Sequence, residues 1–208
     1  MPRARVFFAL WPDKRCADRL QRVAEYLASR LGGRTMKKET LHLTLNFVGD
    51  VSADRLPDLL ALGGETAEEI KTQEVGAGAS GHLRLDRLGY WQHNGIVWIG
   101  SSHYPPVPAK IANLLALKLS GRGYPIPLRP FAPHITLLRN VRLMSGAAEL
   151  ETLEYRNRDP ASRPIVWPYR DFVLVRSRLS RSGPDYERLG CWPLPHADVE
   201  KLRIPDVA

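Results

Sequence analysis

The stretch LHLTLNFVGD, residues 41–50, alternates apolar and polar residues as far as Asn46. Alternation with a period of two predicts a half-buried β-strand, in which the leucines face a core and His42, Thr44 and Asn46 face the other way. A polar outer face on an antiparallel strand needs no function. This stretch alone therefore predicts a strand, and a site only if a second observation supports it.

A second copy of the motif His-x-Thr lies 92 residues further along, in RPFAPHITLLRNV, residues 129–141. His134 and Thr136 share one face of a second predicted strand, and Ile135 and Leu137 share the other. Threonine fills 7 of the 208 positions, so two of the six histidines would carry the pattern by chance in about 2% of such sequences. Coincidence is the weaker interpretation.

Composition and charge restrict the class of protein. A chain of 208 residues with 44% hydrophobic and 25% charged residues has an ordinary globular composition and can bury one sizeable core, as one domain or two intimate lobes. The net charge of +8 rests on 23 arginines against 7 lysines, a balance that suits contacts with phosphates and bases. Nucleic acid is thus a natural partner, although many basic surfaces bind nothing specific.

The cysteines and the apolar runs indicate the compartment. Cys16 and Cys191 form no Cys-x-x-Cys pair and no cluster with histidine at zinc spacing, so neither a disulfide framework nor a metal site is predicted. The run VFFALW, residues 6–11, is too short for a signal sequence, and no run approaches the ~20 apolar residues of a membrane span. We expect a soluble cytoplasmic protein with no membrane partner.

One order of predicted elements occurs twice: a strand, a helix and a motif strand. The first unit consists of a strand at 5–12, a helix at 13–31, capped by Asp13 and stopped by Gly32-Gly33, and the strand of His42. The second consists of the strand IVWIG at 96–100, a helix at about 108–121 and the strand of His134. The repeat predicts two similar lobes that bring both motifs to a shared cleft.

The rest of the chain contains a second helix and further strands. The segment 52–70 reads as a helix with Pro57 in its first turn. The runs HLRLDRLGYW at 82–91 and GIVWIGSS at 95–102 read as strands divided by the turn HNG, and DFVLVRSRL at 171–179 as another. Residues 144–168 lack clear periodicity, and we expect them to form a mobile surface connection.

Two imidazoles and two hydroxyls facing each other across a basic groove suit in-line attack at phosphorus. One histidine near its usual pKa of about 6.5 can take a proton from the attacking oxygen while the other protonates the leaving oxygen. Threonine hydroxyls can stabilise the charge that grows on the other phosphoryl oxygens. A zinc or two-metal site would need ligands that the sequence does not offer beside either motif, so no metal or other cofactor is expected.

At these residues the chain resembles a known family. LHLTLNFVG and RPFAPHITLLR, with the opening RVFFAL and the closing YERLGCWPL, are similar to the two-histidine (2H) phosphoesterase superfamily, and in detail to the LigT-like RNA 2',3'-cyclic phosphodiesterases, also called 2'-5' RNA ligases. The resemblance runs from about residue 5 to residue 194. It implies one α+β domain over residues 1–208, with two pseudo-twofold lobes, two antiparallel sheets lining a central cleft and helices outside.

The resemblance also implies roles for the site residues. His42 corresponds to the proton donor to the leaving 3' oxygen, and His134 to the proton acceptor that activates water. Thr44 and Thr136 correspond to the residues that hold the phosphate. The spacing itself does not distinguish two near-symmetric histidines, whose roles exchange in the reverse reaction.

Two further groups of residues, arginines and aromatic residues, are considered for contact with the substrate. Arg139, at the end of the second motif strand, and Arg129, just before Phe131, are candidates for phosphate or RNA-backbone contact. Phe47 and Trp91 could stack a base, but core packing is the favoured interpretation for both. The four other histidines are interpreted as surface or loop residues: His82, His93, His103 and His196.

Three functions of different classes follow. The first is hydrolysis of RNA or nucleoside 2',3'-cyclic phosphate ends to 2'-phosphomonoesters by a monomer. The second is joining of tRNA halves through a 2'-5' bond, because a 5'-hydroxyl can replace water as the attacking group. The third is nucleotide or RNA binding without turnover, which the paired motifs disfavour because binding alone does not require both imidazoles.

Overall fold

Ten strands and three α-helices make up the part of the chain that the computed structural model describes, residues 3–73, 81–126, 130–143, 163–180 and 183–195. The helices are α1 (Lys14–Leu31), α2 (Leu56–Gln73) and α3 (Pro106–Gly121). The strands are β1 (Arg3–Leu10), β2 (Arg34–Thr35), β3 (Leu43–Ser52), β4 (Gly81–Leu85), β5 (Arg87–Trp91), β6 (Ile96–Gly100), β7 (His134–Arg139), β8 (Ile165–Tyr169), β9 (Asp171–Ser180) and β10 (Gly183–Pro193).

The strands form two antiparallel sheets, so the predicted α+β class is confirmed. The larger sheet has the order β10-β9-β1-β3-β7-β6-β5, with β2 paired to β7, and the smaller one consists of β4 and β8. The two halves of the larger sheet meet where β3 and β7 pair at one position, with Leu43 opposite Ile135. Both residues are fully buried, so the seam between the halves is anchored in the core.

The helices cover one face of the larger sheet and leave the other face to the cleft. Along β1, Val6, Phe8 and Leu10 point into the main core with the apolar sides of the helices, whereas Phe7 and Ala9 lie on the opposite face in a small separate cluster. The helices also exchange partners across the seam: α1, from the first half, contacts β7, and α3, from the second, contacts β3. Neither half therefore has a complete core of its own.

The bounds of helix α1 follow from local features of its sequence. Its buried residues, which include Leu20, Val23 and Leu27, recur at helical spacing. The Asp13 carboxylate accepts a hydrogen bond of 2.7 Å from the Cys16 N–H, and Gly32 ends the helix at a φ of 69° with its N–H bonded to the Ala28 carbonyl. The predicted cap and stop are both confirmed.

Three predicted elements need correction. The helix expected from residue 52 begins at Leu56, because β3 continues to Ser52 and a short 3₁₀ turn follows. The strand expected over residues 82–91 is two strands in different sheets, divided at Asp86, whose carboxylate accepts hydrogen bonds from Arg84 and Ser102. Residues 165–168, expected in a mobile connection, belong to β8 and pair with β4; residues 144–162 of that connection lie outside the described residues. Within the described ranges, no helix has the length and apolarity to cross a membrane.

Candidate active site

The seam of the sheet brings the two motifs together. Leu43 and Ile135 are the middle residues of the two motifs, and they are the residues that pair. Since both point into the core, the side chains on either side of them point to the opposite face. If this antiparallel register is extended by one residue on each side, His42 lies towards Thr136 and His134 towards Thr44. The two histidines are then diagonal neighbours, a relation that places Cα atoms ~7–8 Å apart.

A cleft of about 580 Å³ lies over this seam, and all four motif side chains line it. It is open to solvent on one side, and its walls combine polar, basic and aromatic groups. The remaining lining residues are Arg5, Phe7, Arg34, Met36, Thr40, Phe47, Trp91, Ile96, Arg139, Ser177 and Tyr186. The structure therefore places two imidazoles, two hydroxyls and several guanidinium groups around one space.

Each motif histidine is held by the carbonyl group two residues before it. His42 Nδ1 lies 2.7 Å from the Thr40 carbonyl oxygen, and His134 Nδ1 lies 2.8 Å from that of Ala132. A carbonyl oxygen only accepts, so Nδ1 carries the proton in both rings. In the neutral imidazole, Nε2 is then left with a free lone pair. Both rings are thus set in the tautomer that can accept a proton at Nε2.

Aromatic side chains enclose the His42 ring. Trp11 stacks on it with ring centroids 5.3 Å apart and planes 13° apart, while Phe7 and Tyr186 lie at 4.8 and 5.3 Å. The guanidinium carbon of Arg188 lies 5.0 Å from the centre of the Trp11 ring. This packing fixes the ring and removes water from around it.

The His134 ring meets two tryptophans edge-on. The Trp91 and Trp98 centroids lie 4.5 and 6.3 Å from that of the imidazole. No side chain stacks flat on His134 in the way that Trp11 stacks on His42 among the described aromatic contacts. The two histidines are therefore similar in hydrogen bonding and different in their surroundings.

Burial dominates the electrostatics of both histidines. It lowers the pKa of His42 to about 4, helped by repulsion from His134 when that ring is protonated and from Arg139, and opposed by the hydrogen bond to Thr40. The pKa of His134 is lowered by the same burial and by Arg139, and is raised by its bond to Ala132. Because burial penalises the charged form, both rings are favoured in their neutral form.

Two arginines mark the basic side of the cleft. Arg34 on β2 pairs directly with Arg139 on β7, and both are exposed and line the cleft. Like charges on directly opposed residues repel each other, and an anion between them would relieve the repulsion. Arg5 also lines the cleft, but it is bonded to Asp50 at 2.9–3.0 Å. The pair Arg34 and Arg139 is therefore the better anion-binding group.

The other predicted contacts have different outcomes. Arg139 lies in the cleft, and Arg129 lies outside the described residues. Phe47 is 53% exposed in the cleft wall, so the interpretation of Phe47 as a core residue is wrong, and Trp91 is half-buried beside His134. His82, His93 and His103 are exposed as expected, and His196 lies outside the described residues.

Sequence reasoning missed several residues of the site. Trp11 could have been identified from the sequence, because it continues the spacing of Phe7 and Ala9 on the cleft side of β1. Arg34 and Tyr186 could not have been identified in this way, since they reach the cleft only through pairing with distant strands. In the described ranges, no group of three or more histidine, cysteine, aspartate or glutamate side chains is arranged to hold a metal ion.

Comparison with known proteins gives consistent matches. The family model of LigT like phosphoesterases matches residues 10–98. A protein of Escherichia coli (strain K12) named RNA 2',3'-cyclic phosphodiesterase is 32% identical over 162 residues, which cover 78% of this chain and 80% of that protein. A protein of the same name from Thermus thermophilus is 28% identical over 200 residues, covering 88% and 86%.

Solved structures match over nearly the whole chain. The crystal structure of E. coli LigT in its apo form superposes with a TM-score of 0.72 at 26% identity, covering 94% of this chain and all of that one. The complex of E. coli LigT with 3'-AMP matches with the same TM-score and identity, covering 93% and 99%. The fold and the sequence therefore point to the same group of proteins.

Proposed function

Because the chain belongs to the LigT-like phosphoesterase family of the 2H superfamily, we propose that it hydrolyses 2',3'-cyclic phosphate ends of RNA, and the corresponding cyclic nucleotides, to 2'-phosphomonoesters. The observation that carries the proposal is the pairing of Leu43 with Ile135. That one pair sets two His-Thr motifs around one cleft, and each imidazole has its Nδ1 bonded and its Nε2 available.

In the proposed reaction His134 is the base and His42 the acid, as the family resemblance implies. Nε2 of His134 takes a proton from water as the water oxygen bonds to phosphorus. The bond from phosphorus to the 3' oxygen breaks, and Nε2 of His42 gives that oxygen its proton. The product carries a 2'-phosphate and a free 3'-hydroxyl.

The negative charge of the substrate favours the protonation of His42. His42 must be protonated to act as the acid, although burial lowers its pKa to about 4. A phosphate anion beside the ring favours the protonated form and raises that pKa. Binding of the substrate is thus coupled to the uptake of one proton, while the base stays neutral.

Hydroxyl and guanidinium groups hold the phosphate in this proposal. Thr44 and Thr136 line the cleft beside the two rings and can donate to the oxygens that do not react. Arg34 and Arg139 lie across from each other and suit the negative charge, which increases in the transition state. A protein that only bound nucleotides would not need two imidazoles held by matching hydrogen bonds at Nδ1.

Phe47 is suited to stack on a base at the end of an RNA strand. An aromatic ring that is 53% exposed in a cleft wall offers a stacking surface for a base. We further propose that the chain works as a monomer and as a single domain of two lobes, because one chain supplies both motif strands and each half completes the core of the other.

Hydrolysis of adenosine 2',3'-cyclic phosphate in the presence of EDTA tests the proposal. We expect 2'-AMP as the product at a rate that the chelator leaves unchanged, since the proposed steps only exchange protons with imidazoles. The matched control is His93→Ala, an exposed histidine outside the cleft, which should retain full activity. Loss of activity in EDTA, or 3'-AMP as the product, would contradict the proposal.

A further inference from the structure

A second cavity of about 280 Å³ lies on the far side of His134. It shares His134 and Trp91 with the cleft, so the two spaces meet at this histidine. Its other walls include Trp98 and Tyr104, with the polar groups of Arg87, Ser101 and His103 at the edge. The cleft is therefore extended beyond one of its two histidines.

Two glycines make room for the ring that forms the floor of this cavity. Trp98 pairs with Thr136, so it lies on the cleft face of the sheet. Gly89 stands opposite Trp98, and a β-carbon added there would overlap the indole ring. A β-carbon at Gly100 would come within 3.1 Å of the same ring. The indole can lie across the strands because position 89 lacks a side chain, and Gly100 leaves it further room.

The corresponding space beyond His42 is filled. Trp11, Phe7 and Tyr186 pack against that ring, and the cavity on the outer side of Trp11 does not include His42. Among the residues that the structure describes, a ligand that extends past a histidine of the cleft therefore has room past His134 and not past His42. The pseudo-symmetry of the motifs is broken by their surroundings.

We propose that this second cavity binds the nucleoside whose 5' oxygen attacks the cyclic phosphate or leaves it, which makes it the acceptor subsite for joining RNA ends. The inference rests on the proposed function, in which His134 faces the attacking group. If a 5'-hydroxyl takes the place of water, its proton passes to His134 and its oxygen bonds to phosphorus. The bond to the 3' oxygen breaks, and His42 protonates that oxygen. The product is a 2'-5' phosphodiester.

The walls of the cavity suit a nucleoside. Trp98 and Tyr104 offer aromatic surface to a base. Tyr104 is 66% exposed, so its ring is accessible to a ligand. Ser101 and His103 can form hydrogen bonds with the sugar or the base edge. Arg87 is exposed at the rim, where it can meet the next phosphate of the acceptor strand. A water molecule as attacker would need none of these groups.

Equilibrium binding tests this inference independently of turnover. The probe is 3'-deoxyadenylyl-(2'→5')-adenosine, which lacks the 3'-hydroxyl needed for cleavage. The reference is the same nucleotide with a methyl group in place of the second adenosine, so that the two ligands carry the same charge. By calorimetry we expect the dinucleotide to bind roughly tenfold more tightly, which is within the value of one stacked base.

Replacing an aromatic wall of the cavity should remove that gain. In Tyr104→Ala the dinucleotide should lose most of the tenfold advantage, while the affinity for the methyl ester and the hydrolysis of the cyclic nucleotide stay unchanged. Tyr104→Phe keeps the ring, and Arg30→Gln removes a distant exposed charge, so both should bind like the wild type. Equal affinity of the two ligands in the wild type, or an advantage that Tyr104→Ala retains, would overturn the inference. Absence of cyclic nucleotide hydrolysis would contradict the proposed function instead.

Discussion

At the scale of single residues, each motif histidine is oriented by the backbone of its own strand. The carbonyl two residues before it accepts from Nδ1 in both motifs, so the tautomer depends on local geometry that the two copies share. The surroundings differ, because Trp11 stacks on His42 and tryptophan edges meet His134. The same imidazole pair can thus divide the roles of acid and base.

Replacing the two histidines tests whether they act as a unit. His42→Ala and His134→Ala should each lower kcat by roughly 10²–10⁴-fold, the value of a positioned acid or base. The double variant should lose much less than the product of the two effects, because both proton transfers belong to one transition state. Steady-state rates on a cyclic nucleotide measure this, and near-normal turnover by His134→Ala would refute the mechanism.

The threonines should matter less than the histidines. Thr44→Ala and Thr136→Ala should each lower kcat by about 10–10³-fold, since water can partly replace a neutral hydroxyl donor in an open cleft. Thr→Ser variants keep the hydroxyl and serve as matched controls. An alanine variant as damaging as the loss of a histidine would assign the threonines a role beyond phosphate binding.

Trp11 is predicted to set the protonation of His42. Burial lowers the pKa of His42 to about 4, and the Trp11 ring covers one face of the imidazole. Trp11→Ala admits water, which favours the charged form, so the pKa should rise towards its ordinary value of about 6.5. NMR titration of the His42 ring protons measures the change, and Trp11→Phe should restore part of the wild-type value. An unchanged titration midpoint in Trp11→Ala would exclude this role.

At the scale of elements, the site depends on how strands lie beside each other. One paired position joins β3 to β7, and β7 then receives β6 on its other side. This order places Trp98 next to Thr136, and it requires glycine at position 89 on β5. Strand β5 therefore shapes the site without contributing a reacting group.

Gly89→Ala should disturb both the stability and the site. The added methyl group overlaps the Trp98 ring, so we expect a loss of about 1–3 kcal/mol in the free energy of unfolding, as is typical for overpacking. Gly121→Ala is the control, because an added β-carbon there meets no other atom within 4 Å. Denaturant unfolding of both variants checks the difference. Equal stability of Gly89→Ala and the wild type would show that the Trp98 ring does not lie against Gly89.

At the scale of the whole molecule, the net charge is +8, and several of the arginines lie in or near the cleft. Arg34 and Arg139 lie in the cleft itself, and Arg87 lies at the rim of the second cavity. In the proposed function a mononucleotide binds within the cleft, whereas an RNA strand would extend beyond it. The two kinds of substrate should therefore respond differently to salt.

The affinity for an RNA oligonucleotide should fall steeply as salt increases, because each neutralised phosphate releases counterions. Hydrolysis of a cyclic mononucleotide involves one phosphate and should depend on salt much less. Binding measured between 50 and 200 mM salt, at the range where such losses reach about 10³-fold for several contacts, separates the two slopes. Equal slopes would show that the basic surface is not a path for RNA.

What could be predicted from the sequence was local. Period-two alternation identified the motif strands and the faces of their side chains, and helical spacing with Asp13 and Gly32 identified α1. The sequence also showed that two His-Thr pairs exist and resemble those of a known family. These features depend only on neighbours along the chain, so one strand or helix contains all the information that they need.

What only the tertiary structure decided was which elements meet. Alternation shows that a strand has a buried face, but hydrogen bonding between strands sets its neighbour and its register. The sequence therefore did not reveal that Leu43 pairs with Ile135 or that Arg34 stands opposite Arg139. Nor did it show that Phe47 is exposed in the cleft or that space remains beyond His134 and not beyond His42. These properties arise from groups that are distant along the chain and become neighbours only when the sheet forms.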